Sequence, residues 1–151
     1  MGDSLAGTTL RPATPADLPF ILRGERSYIR EIEPAAEAGW TNAVDRNLQL
    51  WVDNLERAAI AEDAGESVGY YLWMPDGPDA LLATLHVVPT HRRRGLGRVL
   101  LRAWMDDARA RGAQRLLLGV HCDNPARMLY EQNGFLRTGT DGDYLNYRAE
   151  H

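Results

Sequence analysis

The chain has 151 residues, of which 44% are hydrophobic and 25% are charged, close to the average of a globular protein. This length can bury one hydrophobic core, and a single cysteine excludes a disulfide framework and a multi-cysteine zinc site. All 17 basic residues are arginine, which excludes phosphate loops that need lysine and enzymes that form a lysine Schiff base. We therefore predict a single domain over residues 1–151.

Charge is distributed unevenly along the chain. Residues 1–80 hold 14 acidic residues and 6 arginines, whereas residues 81–151 hold 7 acidic residues and 11 arginines. The opening segment has an acidic residue and no basic stretch, and the longest apolar stretch is interrupted by Thr84 and His86. We expect a soluble cytoplasmic protein without a membrane segment, whose two halves face different partners. A solvated surface without functional meaning explains the asymmetry equally well.

The first third of the chain predicts a strand and two helices. Residues 8–11 form the strand, and a helix over residues 18–32 follows it. Glu25 lies on the apolar stripe of this helix, where a solvated carboxylate is not expected. Residues 33–39 break the helical pattern, and a second amphipathic helix begins near Thr41. Its predicted inward side chains are Val44, Leu48, Trp51, Val52 and Leu55.

The rest of the chain predicts six strands and two helices, bounded by turn signals and changes of apolar period. In chain order these are strands over residues 59–63, 67–73 and 80–88, a helix over 96–111, a strand over 116–122, a helix over 124–133, and strands over 135–140 and 143–148. The order β-α-α-β-β-β-α-β-α-β-β indicates an α/β (α+β) fold with a mixed sheet flanked by helices. The strand over residues 116–122 is almost continuously apolar, so we expect it to be covered on both faces, with Cys122 buried at its end.

The most informative motif follows the strand over residues 80–88. Val87-Val-Pro89 ends that strand, because proline cannot donate to a sheet, and Arg92-x-x-Gly95-x-Gly97 leads into a helix. Backbone N–H groups at a helix start bind phosphate oxygens, and nearby arginines strengthen that binding. A dinucleotide-binding loop needs glycine or alanine where Leu100 stands, which disfavours an oxidoreductase. The acidic total charge disfavours a nucleic-acid partner.

This motif resembles that of the GNAT superfamily, the acyl-CoA-dependent N-acetyltransferases, in which R/Q-x-x-G-x-G/A follows a V-x-P strand end. The segment Asn124-Pro-Ala-Arg-Met-Leu-Tyr130-Glu-Gln-Asn-Gly134-Phe135 is similar to the family's second element, where an asparagine opens a helix and a tyrosine precedes Gly-Phe. The predicted element order is similar along essentially the whole chain. The resemblance implies a GNAT-like fold, with a mostly antiparallel sheet and splayed fourth and fifth strands, and acetyl-CoA as cosubstrate without a metal.

The resemblance also implies roles for residues on the cofactor side. The pyrophosphate of CoA would bind to what we call the cofactor loop, which consists of Arg92, Arg93, Arg94, Gly95, Leu96, Gly97 and Arg98. Main-chain groups of Val87 and Val88 would contact the pantetheine and the acyl carbonyl, and a main-chain N–H there would stabilise the oxyanion. Asn124 would contact the pantetheine arm. Tyr130, with a reference pKa of about 10, would protonate the leaving thiolate; a packed core tyrosine is the alternative.

The general base is left open by the sequence. Relatives that acetylate protein N-termini often carry a glutamate where Gly119 stands, so their base is not transferred to this chain. His121 and His86, on neighbouring strands, can titrate near neutral pH. Glu25 is a third candidate, either as a base or as a carboxylate that orients an ammonium group. Hydrogen-bonded structural histidines, and a pairing of Glu25 with a nearby arginine, are the alternatives.

The acidic half of the chain coincides with the segments that form the acceptor groove in this family, which favours a cationic amine. Candidate substrate-binding side chains are Glu25, Tyr28, Trp40 and Trp73, with Glu31, Glu33, Glu37 and Tyr70 as further acidic and aromatic groups, although core packing explains most of the aromatic ones as well. We predict an N-acetyltransferase that moves an acetyl group from acetyl-CoA to a primary amine of a small molecule or peptide by direct attack. A non-catalytic acyl-CoA-binding or regulatory module is the alternative, and the sequence leaves a homodimer open.

Overall fold

The computed structural model describes residues 7–150, which form a seven-stranded sheet with helices on both faces. The strands are β1 (Thr8–Pro12), β2 (Ala58–Asp63), β3 (Glu66–Asp76), β4 (Asp79–Val87), β5 (Leu116–His121), β6 (Leu136–Asp141) and β7 (Tyr144–Ala149). The helices are α1 (Leu18–Ile32), α2 (Glu37–Asn42), α3 (Val44–Asp53), α4 (Leu96–Ala110) and α5 (Ala126–Gln132). The predicted α/β class and element order are confirmed, except that the second predicted helix is two helices.

The sheet has the order β1-β2-β3-β4-β5-β7-β6, and every neighbouring pair is antiparallel except β4 and β5. These two strands pair only where residues 80–82 meet residues 116–118. Beyond that point β4 continues to Val87 and β5 to His121 without pairing, so the strands separate. The expected mostly antiparallel sheet with splayed fourth and fifth strands is confirmed.

Alternation along β3 divides its side chains between two hydrophobic layers. Tyr71 and Trp73 pack in the layer that contains Trp104 of α4, whereas Tyr70 and Leu72 face the layer beneath α1 and α3. Each of these large side chains is nearly or fully buried. Burial of one such side chain is worth about 1.5–3 kcal/mol, so both layers contribute to the stability of the sheet.

The segment after α1 differs from the prediction. The expected loop over residues 33–39 contains a 3₁₀ turn, Pro34–Ala36, and the start of α2. Proline favours the first position of a helical turn and alanine favours helix, which explains this extra structure. Leu48 and Val52, predicted to point inward, are 41% and 47% exposed, because Trp51 forms the buried face of α3.

The end of β5 also differs from the prediction. Leu117 is only half-buried and Gly119 is exposed, so one face of this strand is partly open next to the separation of β4 and β5. Cys122 is exposed, and its predicted burial is wrong because β5 ends at the preceding residue. The ligand atoms of His121, Cys122 and Asp123 lie within 4.8 Å of one another, and the expected absence of a metal stays a prediction.

None of the helices between residues 7 and 150 combines the length and the apolar composition needed to cross a membrane.

Candidate active site

A cavity of about 290 Å³ opens where β4 and β5 separate. Side chains from α1, α2 and α3 line it, together with residues of β4, β5, α5 and the start of β7. The lining brings together seven residues that the sequence predicted for the site: Glu25, Tyr28, Glu33, Trp40, His86, Asn124 and Tyr130. The separation of two strands therefore creates the site, rather than any single motif.

Glu25 is held in this cavity by two hydroxyl groups. Its Oε2 accepts a hydrogen bond of 2.6 Å from the Tyr70 hydroxyl and one of 2.7 Å from Thr84 Oγ1. Burial raises the pKa of the Glu25 carboxyl above its ordinary value, and the two hydrogen bonds oppose this rise without cancelling it. Among residues 7–150 no hydrogen bond to Oε1 is formed. One oxygen of this half-buried carboxyl group is thus available to a ligand.

Gly24 lets α1 lie directly against β3 and β4. A Cβ atom at this position would clash with the hydroxyl of Tyr70 and would lie 2.9 Å from Cδ2 of His86. Only glycine permits this close approach, and the approach brings the next residue, Glu25, within hydrogen-bonding distance of Tyr70.

The arginines near α1 do not pair with Glu25. Arg30 Nε donates to Glu37 at 2.7 Å, and the Arg26 guanidinium lies 5.9 Å from the ring centre of Trp40. The alternative in which Glu25 pairs with a neighbouring arginine is therefore not formed in the described part of the chain.

Glu33 lies at the C-terminal end of α1 and accepts hydrogen bonds from two tyrosines. The Tyr28 hydroxyl donates to its Oε2 at 2.6 Å, and the Tyr144 hydroxyl donates at 2.6 Å to Oε2 and at 2.7 Å to Oε1. Burial and the neighbouring carboxylate raise the pKa of both phenols well above the ordinary value. Both phenols therefore stay protonated and act as hydrogen-bond donors. Tyr144 thus connects the closing hairpin to α1 across the cavity.

The two candidate histidines have different positions. His86 lines the cavity and is 7% exposed, and burial together with the positive charge of Arg92 lowers its pKa to about 4. Its imidazole is therefore uncharged at neutral pH and is a weak base. His121 does not line the cavity: its Nδ1 accepts a hydrogen bond from the Asp123 N–H at 3.1 Å, and its ring contacts Tyr144 edge-on.

Tyr130 both lines the cavity and packs in the core. It is 5% exposed, and its ring lies edge-on to Phe135 with 6.2 Å between the ring centres. Burial raises the pKa of its phenol to about 12, above the reference value of about 10 on which the sequence argument relied. Tyr130 is thus a weaker acid than the sequence alone indicated.

The cofactor loop forms the start of α4. Gly95 has φ +83° and Arg93 has φ +63°, both in the left-handed region, and the bond from the Val99 N–H to the Gly95 carbonyl opens the helix. The N–H groups of the first helical turn have no helical acceptors and point out of the helix end. Arg93, Arg94 and Arg98 are exposed around this end. The geometry suits a phosphate group.

Arg92 and the end of β4 form a separate set of contacts. Arg92 Nη1 donates to Glu31 at 2.8 Å, and its Nε donates to the Val87 carbonyl at 3.1 Å. The Val88 N–H donates to the Val68 carbonyl of β3 at 2.9 Å, so this group is already used. Because N–H groups alternate between the two edges of a strand, the Val87 N–H points toward the open edge. Of the two predicted main-chain contacts, only Val87 offers a donor there.

Trp73 does not belong to this site. Its Nε1 donates to Asp107 of α4 at 2.9 Å, and the guanidinium groups of Arg57 and Arg111 lie 5.9 and 5.8 Å from its ring centre. The alternation of β3 places this side chain in the α4 layer, on the face away from the cavity. The structure therefore does not bring Trp73 together with the other predicted substrate-binding residues, Glu25, Tyr28 and Trp40.

Two lining residues were missed by the sequence analysis. Thr84 binds Glu25 and Tyr144 binds Glu33, but neither stands in a motif. The signal for Thr84 was its interruption of an apolar strand, whereas nothing local distinguishes Tyr144.

Comparisons with known proteins agree with the fold and the motifs. A family model described as the acetyltransferase (GNAT) family matches residues 25–135. The mycothiol acetyltransferase of Rhodococcus erythropolis is 36% identical over 119 residues, which cover 72% of this chain and 40% of that protein. The structure is also similar to that of the PaiA N-acetyltransferase of Thermoplasma acidophilum, which was solved in complex with coenzyme A. The TM-score is 0.81 at 18% sequence identity, and the alignment covers 95% of this chain and 99% of the PaiA chain.

The ribosomal-protein-alanine N-acetyltransferase of Brucella melitensis aligns with a TM-score of 0.76 at 25% sequence identity. The alignment covers 95% of this chain and 99% of the Brucella chain. The mycothiol acetyltransferases named among the curated relatives are longer proteins. The chain spans between a third and about half of their length.

Proposed function

Because this chain belongs to the acetyltransferase (GNAT) family, we propose that it transfers an acetyl group from acetyl-CoA to the primary amine of a small cationic molecule. One observation carries the proposal. The cavity between β4 and β5 has a half-buried carboxyl group, an open strand edge and a tyrosine around one space. Direct attack of an amine on a thioester needs a proton acceptor, a donor for the oxygen that becomes negative and a group that stabilises the leaving sulfur.

The residues on the cofactor side fit coenzyme A. The start of α4, with Gly95 in the left-handed region, would hold the pyrophosphate, and the arginines of the cofactor loop would add attraction. Asn124 Oδ1 accepts a hydrogen bond from the Ala126 N–H at 2.9 Å, which leaves its side-chain N–H groups for the pantetheine arm. When bound, acetyl-CoA would supply the activated acetyl thioester.

Glu25 is the residue that would handle the acceptor's proton. A primary amine arrives as an ammonium ion and must lose a proton before it attacks. The free Oε1 of Glu25 can bind the ammonium, and a carboxyl with a raised pKa takes a proton more readily than an ordinary glutamate. His86, with a pKa of about 4, is too weak a base for this step, and His121 does not line the cavity.

The remaining two tasks fall to Val87 and Tyr130. The Val87 N–H on the open edge of β4 would donate to the acyl oxygen as negative charge develops there. The Tyr130 hydroxyl would donate a hydrogen bond to the departing sulfur. Because its pKa of about 12 exceeds that of a thiol, which is about 8.5, the phenol stabilises the thiolate rather than protonating it fully.

The size and charge of the cavity favour a small cationic acceptor. Its volume of about 290 Å³ is at the lower end of the range for small-molecule sites, about 300–1,000 Å³. Glu25 and Glu33 are among its lining residues, and no arginine between residues 7 and 150 is. A peptide acceptor could present only its terminal amine to such a space.

Release of free CoA from acetyl-CoA, measured across cationic, neutral and anionic primary amines, tests this function. We expect turnover with small cationic amines, and little with amines that carry a carboxylate. Binding of acetyl-CoA without release by any amine would favour the non-catalytic module instead. Failure to bind acetyl-CoA would overturn the proposal.

A further inference from the structure

We infer that the acceptor is a linear diamine or polyamine whose second ammonium group binds Glu33, while its reacting amine lies at Glu25. This inference rests on the proposed function and specifies the chemistry of its acceptor. It names Glu33 as a residue that determines specificity, with Tyr28 and Tyr144 as its positioning residues.

Glu33 has the surroundings of a binding group rather than of a surface carboxylate. Tyr28 and Tyr144 both donate hydrogen bonds to it, and all three side chains line the cavity that contains Glu25. Two phenol donors orient the carboxylate without neutralising it. A charged hydrogen bond from an ammonium group can therefore still be added.

Other acidic residues near α1 differ from Glu25 and Glu33 in that they form ion pairs and lie outside the cavity. Glu31 pairs with Arg92 and Glu37 pairs with Arg30, and neither acid lines the cavity. Glu25 and Glu33 do line it, and within residues 7–150 no salt bridge is formed by Glu33 or Glu25.

The other lining groups leave this negative charge uncompensated. His86 is uncharged near neutral pH, and Arg26, which stacks on Trp40, is not itself a lining residue. The cavity therefore attracts ligands that carry more than one positive charge.

Glu25 and Glu33 present two separate carboxylates to one cavity. Glu25 and Glu33 are eight residues apart on α1 and at its end, which corresponds to about 12 Å along the helix axis. A linear diamine or polyamine can place one ammonium group at each carboxylate, because its methylene chain is flexible. Tyr28, Trp40 and Trp51 line the cavity and provide apolar surface for the methylene groups between the two amines.

The test compares butane-1,4-diamine with n-butylamine, which has the same carbon chain and one ammonium group. For the wild-type protein we expect kcat/KM, from CoA release, to be about fivefold higher for the diamine, the upper value for one partly exposed ion pair. Glu33→Gln should remove this preference, so that kcat/KM for butane-1,4-diamine falls to the value that the same variant gives with n-butylamine. Glu37→Gln is the matched control, because it removes an equally acidic residue outside the cavity, and it should keep the preference.

Calorimetric titration of butane-1,4-diamine into the CoA-bound protein provides a readout that does not depend on turnover. Weaker binding to Glu33→Gln than to the wild type supports the inference, and equal affinity overturns it. If the two amines react equally well in both proteins, the inference fails while the proposed function stands. If no amine releases CoA, the proposed function fails and the titration alone decides whether Glu33 binds a dication.

Discussion

The Tyr70 hydroxyl lies 2.6 Å from Oε2 of Glu25, although 45 residues separate them in the chain. This hydrogen bond joins the first helix to the third strand and holds a carboxyl group in the cavity between β4 and β5. It exists because Gly24 has no side chain to keep α1 away from Tyr70. A packing requirement, at Gly24, and a candidate catalytic group, Glu25, are thus adjacent in the sequence.

Glu25→Gln should remove activity and stabilise the fold at neutral pH. Because the pKa of Glu25 is raised in the folded protein, the folded protein binds the carboxyl proton more tightly than the unfolded chain does. When the pH rises above the ordinary pKa of glutamate, ionisation of Glu25 therefore lowers the stability of the fold. Glutamine can still accept both hydrogen bonds. We expect kcat/KM to fall by about 10²–10⁴, and thermal unfolding at pH 8 to occur at a higher temperature than in the wild type. The difference should shrink toward pH 4, and a less stable variant at pH 8 would contradict the argument.

Tyr130→Phe should separate chemistry from cofactor binding. The phenol makes no hydrogen bond within residues 7–150, so its loss leaves no buried partner unsatisfied and should change the free energy of unfolding little. We expect kcat to fall by about 10²- to 10³-fold, the value of a single donor to a developing charge, while the Kd for CoA changes by less than about twofold. Stopped-assay turnover and a CoA titration measure the two quantities. Unchanged turnover would remove Tyr130 from the mechanism.

His86 should make the protein sensitive to mild acid. Burial lowers its pKa to about 4, so the unfolded chain takes up a proton that the folded protein refuses, and stability is lost as the pH falls from about 6.5 to about 4. The shift corresponds to at most about 3 kcal/mol. Urea unfolding of the wild type and of His86→Gln at pH 4.5, 5.5 and 7 should show a steeper loss in the wild type. Parallel profiles would mean that His86 is not responsible.

Gly95→Ala should weaken cofactor binding, with Gly112→Ala as its control. Both glycines have positive φ, +83° and +92°, and they lie at opposite ends of α4. Alanine in this region costs about 1–2 kcal/mol at either position, so both variants should lose similar stability. Only Gly95→Ala should raise the KM for acetyl-CoA, by about tenfold, because only that residue shapes the phosphate site. Equal KM values in the two variants would exclude a role of this loop in cofactor binding.

Features that depend on neighbouring residues were available from the sequence alone. Hydrophobic period and turn residues gave the strand and helix order, and contiguous motifs indicated the cofactor loop and its family. Glu25 was identified because a carboxylate on an apolar stripe is unusual. Where local preference was weak, as in the segment 33–39, helical turns formed that the pattern did not predict.

Only the tertiary structure decided what surrounds each candidate residue. Strand register placed Trp73 in the α4 layer and Tyr70 beside Glu25, because successive side chains of one strand face opposite layers. Burial then moved the pKa of Tyr130 to about 12 and that of His86 to about 4. The desolvation that shifts these pKa values is caused by residues that are distant in the sequence. How closely those residues pack around the side chain is known only from the tertiary structure.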